Sequence, residues 1–153
     1  MSFPALLWLC LSGLAAAQPP AAGLVPRKVL ALYSREEIPG DYKDIAFTQL
    51  HQRGEMPLNY LGVELVYFDA SKPLPDPATL SGYRGVVTWF EKPVNFKDPA
   101  PVCRWLSAAM RARLWVVMLG DPGVYQSSQK GAPDLPADCA DMLRALGLKL
   151  TGS

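Results

Sequence analysis

After residue 27 the chain carries four short runs dominated by apolar residues, each bounded by polar or proline-bearing stretches. They are Lys28-Val-Leu-Ala-Leu-Tyr33, Val63-Glu-Leu-Val-Tyr-Phe68, Gly85-Val-Val-Thr-Trp-Phe90 and Leu114-Trp-Val-Val-Met-Leu119. Runs of this length without strict alternation are the mark of strands covered on both faces. Between them the period changes. A helical segment is expected from Asp41 or Asp44 through Ile45, Phe47 and Leu50, interrupted at Arg53-Gly54. Met56 to Gly62 reads as a second short helix, with Pro57 in its first turn and Gly62 at its C-terminal cap. Asp98 to Arg113 places Val102, Trp105, Leu106, Ala109 and Met110 on one helical face. Asp138 to Leu146 is a further helix ending before Gly147, and Leu148-Lys-Leu150 is the opening of a fifth strand.

Strands alternating with helices argue for a parallel sheet with helices on both faces. The expected fold is therefore α/β: a small doubly wound, mostly parallel sheet of the Rossmann-like or flavodoxin-like kind, either small in itself or truncated after its fourth or fifth strand. Lys72 to Ala78, with Pro73, Pro75 and Pro77, has no room for regular structure. The link between the second and third strands is thus expected to lack a full crossover helix.

The first residues follow a different logic. Met1 to Ala17 has no Asp, Glu, Lys or Arg, an apolar centre from Ala5 to Leu14, and a small-residue end at Ala15-Ala16-Ala17. That pattern is a cleavable secretory signal, and it is shorter than the roughly 20 residues a bilayer core demands. The division expected is signal peptide 1–17, lead-in 18–27 and a single α/β domain 28–153. The mature product is then periplasmic or secreted, with no membrane attachment after cleavage. Charges are mixed, 15 basic against 14 acidic residues for a net +1, so no basic stripe suggests a nucleic-acid partner. Cys103 and Cys139 remain after cleavage. An exported location permits a disulfide, but spacing does not show that the two meet, and two small buried side chains are the simpler expectation.

Three segments in order carry a resemblance: Lys28 to Tyr33, Met56-Pro-Leu-Asn-Tyr-Leu-Gly62, and Leu80-Ser-Gly-Tyr-Arg-Gly-Val-Val-Thr-Trp-Phe90. Over about residues 28–150 the chain resembles the Rossmann-like, glutamine-amidotransferase-like domain of large secreted bacterial polysaccharide deacetylase/hydrolase proteins of the Pel exopolysaccharide type. The resemblance implies a place in extracellular polysaccharide processing. The catalytic work of such proteins is attributed to other domains, so no catalytic residue is implied here. It also implies a truncated or separately encoded piece of a larger protein.

The reactive side chains agree with that restraint. Amidotransferase chemistry needs a Cys at a sharp strand-to-helix turn with His nearby; the fourth strand ends Leu119-Gly-Asp-Pro122, Cys103 lies in a helix, and the one His is His51, expected on a helix surface. Ser-His-Asp catalysis lacks a Gly-x-Ser-x-Gly elbow. One His and two distant Cys give no metal-ligand spacing. The loop after the first strand, Tyr33-Ser-Arg-Glu-Glu-Ile-Pro-Gly40, carries no dinucleotide fingerprint. No catalytic residue, metal or cofactor is assigned. Asp69, Glu91 and Asp121 follow strand ends, on the side where doubly wound folds bind ligands. Tyr33, Trp89 and Phe90 offer surfaces on which a sugar ring can stack, and Asn59 sits in the resembling motif. Tyr33, Asn59, Asp69, Trp89, Glu91 and Asp121 are the six candidate ligand-binding residues. The expected function is a non-catalytic exported domain that binds or positions a glycan or neighbouring domains. The alternatives are a small glycan-active hydrolase using the strand-end acids, and a fragment of a larger deacetylase/hydrolase.

Overall fold

A computed structural model describes residues 25–36, 38, 45–127 and 133–148. The signal segment, the lead-in as far as residue 24, and the fifth strand beyond Leu148 lie outside the described residues. Strands β1 (Lys28–Tyr33), β2 (Glu64–Asp69), β3 (Tyr83–Phe90) and β4 (Trp115–Gly120) form one sheet in the order β2-β1-β3-β4, every pair parallel. This is the expected small α/β fold of the Rossmann/flavodoxin-like kind. A two-residue ribbon, β5 (Gln126–Ser127) against β6 (Pro133–Asp134), lies apart from it.

One face of the sheet is closed by α2 (Ala100–Arg111) and α3 (Ala137–Ala145). Leu30, Leu32, Val86 and Phe90 point to that face and meet Val102, Leu106 and Ala109 of α2 and Met142 and Leu143 of α3, all buried. The β2–β3 link runs over the same face. It holds only a short 3-10 turn, Pro77–Thr79, as its prolines led us to expect, and Leu74 and Leu80 seal it into the core.

Cys103 and Cys139 do meet. They form a disulfide between α2 and α3 with Cα atoms 5.0 Å apart, which corrects the expectation of two separate buried thiols. Sequence spacing was silent because the two helices are brought together by the crossover through β4, not by local pattern.

The opposite face is thinner. Here a six-residue π-helix, Leu50–Glu55, runs without a break into α1 (Met56–Tyr60). The expected interruption at Arg53-Gly54 is thus absent. Gly54 is buried, and a Cβ there would fall 2.9 Å from Leu50 Cδ1, so this glycine marks close packing rather than a break. Leu50 and Leu58 pack on Ala31, Val87 and Trp89. The cover stops there. On β4, Trp115 is 74% exposed and Val117 46% exposed, so the apolar run Leu114–Leu119 is an edge strand bare on one face, not a strand buried on both. An apolar groove of about 380 Å³ between Val29, Leu58, Val87, Trp115, Val117 and Leu119 follows from this.

The three α-helices among the described residues end in the same way. Val63, Leu114 and Leu148 each donate a backbone hydrogen bond five residues back, to Leu58, Ala109 and Leu143. The preceding residue is left-handed in each case: Gly62, Arg113 and Gly147, at φ 75°, 64° and 84°. This closed helix end turns the chain sharply, and in the first two cases β2 and β4 start at the very next residue. Among the described residues no helix is long and apolar enough to cross a membrane.

Candidate functional site

In the order β2-β1-β3-β4 the chain leaves β1 toward β2 on one side, while β3 lies on the other. Loops leaving the C-terminal ends of β1 and β3 therefore diverge, and doubly wound sheets bind ligands in the crevice this creates. Ser34, fully buried after β1, ties the two exits together: its hydroxyl donates to Asn95 O at 2.7 Å. Glu36 Oε2 accepts from Lys97 N at 2.9 Å and repeats the link farther out.

A crevice of about 450 Å³ opens beside these loops, against the start of α2. Its walls include Ser71, Lys72, Leu74, Phe96, Lys97 and Trp105. Trp105 Nε1 donates to Pro75 O at 2.6 Å, which fixes the indole plane. Phe96 is held edge-on by Phe90, with ring centroids 5.4 Å apart. The acids here are already engaged. Asp98 Oδ1 accepts from Ala100 N at 3.1 Å at the head of α2. Asp69 Oδ1 accepts from Ser71 Oγ at 2.6 Å, Ser71 N at 3.1 Å and Arg35 N at 3.4 Å. Its Oδ2 faces Lys72 Nζ at 3.9 Å. These carboxylates shape loops.

The six sequence candidates separate in space. Asp69 ends β2, and Glu91 and Asp121 directly follow β3 and β4, so all three stand at the C-terminal edge as expected. Asp69 does not converge with the other two, because β1 stands between β2 and β3. At about 4.8 Å per strand, Asp69 lies roughly 10 Å from the β3 end and 14 Å from the β4 end. Asp121 Oδ1 accepts from Gly123 N at 2.9 Å and stabilises its turn. Glu91 is exposed. Trp89 is not a crevice wall: it packs with Leu50, Val87 and Leu119 on the α1 side of the sheet. Tyr33 is on that side too, edge-on to Tyr67 with centroids 6.5 Å apart. Side chains alternate along a strand, so odd-numbered β1 residues cannot share the face of Leu30 and Leu32. Asn59 is exposed on α1, where its backbone carbonyl accepts from Gly62 N as part of the helix end. None of the six lines the crevice; Asp69 reaches it only through its hydrogen bonds to Ser71, which does. Trp105, Lys72 and Lys97 were not singled out by sequence, although Trp105 stood on the apolar face of a helix.

Sequence reasoning also left His51 alone on a surface. In the structure His51 Nδ1 lies against Glu55 Oε2, which accepts the Tyr67 hydroxyl hydrogen bond at 2.9 Å. The four-residue spacing of His51 and Glu55 on one helical face was the available signal. Burial first, then the hydrogen bond to Glu55 and the charge of its carboxylate, push the Tyr67 phenol well above its ordinary range. The sign follows directly: folding favours neutral Tyr67, so this contribution is intact below about pH 10, where an unfolded tyrosine ionises, and fades as pH climbs toward the folded value. Absorbance titration at alkaline pH should show Tyr67 ionising late, and Tyr67→Phe should remove that late step. An unchanged late step in the Phe variant would show the assignment to be wrong.

Among the described residues no group of three or more His, Cys, Asp or Glu could hold a metal ion. Comparison of the chain with protein-family models, curated proteins and solved structures finds no match, so the geometry of the crevice and the notable bareness of the α1 side are what a functional reading must build on.

Proposed function

We propose that this chain is an exported, non-catalytic α/β module that binds glycan in the crevice at the C-terminal edge of its sheet, within extracellular polysaccharide processing. One observation carries the reading: a fixed indole, Trp105, stands beside two lysines and a serine in a crevice whose acids are occupied in holding loops. An aromatic plane with polar groups around it suits a sugar ring, which has an apolar face and a hydroxyl rim. The buried Cys103–Cys139 disulfide supports export, since such bonds persist in oxidising compartments. The resemblance to secreted polysaccharide deacetylase/hydrolase proteins supports the pathway.

The test is calorimetric titration of the chain with β-linked N-acetylglucosamine and N-acetylgalactosamine oligomers. Saturable binding is expected, weakened roughly tenfold by Trp105→Ala, equivalent to about 1.4 kcal/mol, and weakened less by Lys97→Ala. Lys97 is exposed, so its variant reports on binding without disturbing the core. Absence of saturable binding, or binding indifferent to both changes, overturns the proposal. A hydrolase reading draws on the adjacent ends of β3 and β4, where Phe90 bridges to Asp121 and Glu91 stands next in sequence. Release of reducing ends from the same oligomers, abolished by Glu91→Gln or Asp121→Asn, would favour it instead.

A further inference from the structure

We propose that the groove on the open side of β3 and β4 binds one fatty acid, its carboxylate held by Arg84 and its alkyl chain laid along Val87, Trp115, Val117 and Leu119. A break in strand pairing puts the cation there. Lys28 of β1 is paired with Tyr83, but Val29 is paired with Gly85, so Arg84 is an extra residue, a bulge. Strict alternation back from Val86, which is buried in the closed core, would put Arg84 on that same core side. The bulge exchanges the two faces: Tyr83 packs against the closed core, and Arg84 lines the groove. Bulges that re-aim a side chain in this way gather next to functional sites.

Charge and shape say what the groove takes. Arg84 is exposed and, among the described residues, has no ion-pair partner. Glu64, an acid at the same end of the sheet, is already paired with Lys28 at 3.8 Å. Every other residue of the lining is apolar or glycine. Leu58 and Val63, from α1 and the turn after it, flank a floor that runs from Trp115 to Leu119, about 13 Å along the strand. Gly85 pairs with Trp115, so Arg84 stands just beyond the Trp115 end of that floor. A polypeptide laid there would bring backbone N–H and C=O groups that this lining cannot pair. An alkyl chain brings none. A carboxylate matches the planar fork of an arginine. One cation at the end of an apolar track is therefore the complement of one charged head on one tail. The groove's 380 Å³ is within the size of small-molecule sites, roughly 300–1,000 Å³.

Calorimetric titration of the full chain with octanoate, decanoate and dodecanoate, each below its micelle concentration, tests this. One-to-one binding is expected, tightening about two- to fourfold per added methylene until the track is filled. Dodecyltrimethylammonium should bind about tenfold more weakly than dodecanoate, because its head meets Arg84 as a like charge. Arg84→Gln should remove that preference, and Arg84→Lys should restore part of it, a rescue that a folding defect cannot produce. Val117→Asp should abolish binding at every chain length; should that variant not fold, the head-group preference still decides. Absence of saturable binding, affinity indifferent to chain length, or a head-group preference that survives Arg84→Gln would overturn the inference. Capture of the chain on phosphatidylglycerol vesicles without one-to-one binding of dodecanoate would overturn it in favour of a membrane surface. Pairing of chains released by Val117→Asp, again without such binding, would overturn it in favour of a second copy. The crevice lies on the other side of the sheet, against α2, so glycan titration of Arg84→Gln reads it separately and either proposal can fail without the other.

Discussion

Replacing Cys103 and Cys139 together by Ala is expected to lower the unfolding free energy by about 3–4 kcal/mol, from the loop-closure entropy that a bridge across 36 positions removes from the unfolded chain. Both side chains are fully buried between α2 and α3, so the cavity left by the sulfurs adds to that loss. The effect is large for a domain of this size, whose total stability is on the order of 5–15 kcal/mol. It should appear as a lower midpoint in urea unfolding of the oxidised parent against the double variant. Reducing agent should move the parent in the same direction. Equal midpoints with equal slopes would mean that the bridge contributes nothing that packing of α2 on α3 does not already supply. Helices α2 and α3 also meet at Arg104 and Asp138, 2.5 Å apart. That pair is exposed and does not substitute for the bridge.

Gly123→Ala should cost about 3 kcal/mol, with roughly 1–2 kcal/mol from left-handed backbone and the rest from overpacking. Gly123 has φ 70°, and an added Cβ would lie 2.6 Å from both Asn95 Nδ2 and Phe90 Cδ2. Neither neighbour can yield easily. Asn95 Nδ2 is bound to Lys92 O, and Phe90 is locked edge-on against Phe96. Asn95 also receives the Ser34 hydroxyl on its backbone carbonyl, so displacement there reaches the crevice. Thermal unfolding and glycan titration should therefore shift together. A melting temperature within a degree of the parent would show that the turn after β4 relaxes freely.

Much of the architecture was legible residue by residue. Leu30-Ala-Leu32 reads as a buried strand because β1 is central and both of its faces are covered, and the structure leaves these three residues almost without exposure. Val102, Leu106 and Ala109 recur at helical spacing because one side of α2 must face the sheet. Their period survives in any reading of the chain. The acids Asp69, Glu91 and Asp121 were placed correctly at strand ends. The separation of Asp69 from the other two was invisible, since strand order is decided by crossovers and not by the strands themselves.

Other features were misread for equally physical reasons. Arg53-Gly54 has the look of a helix break, yet Gly54 sits inside a π-helix where Leu50 and Trp89 crowd it. Leu114 to Leu119 has the same composition as a strand covered on both faces, but composition does not distinguish a central strand from an edge. Trp89 and Tyr33 were offered to a sugar and belong instead to the α1 side of the sheet, because alternation turns them away from the crevice. Trp105 was assigned to a helical core face and does pack there; that its ring, held by Pro75 O, is also a crevice wall was what the spacing did not reveal.

Local periodicity, read from neighbours a few residues apart, was therefore enough to establish a parallel α/β sheet, its four strands and the helices on its closed face. Contacts between residues far apart in the chain lay beyond its reach. The Cys103–Cys139 bridge, the Tyr67–Glu55–His51 group, the crevice beside Trp105 and the bare edge of β4 each depend on which crossover passes over which face. That choice is made by the packing of the whole sheet, where one strand's neighbours come from distant segments, and no window of the sequence contains it.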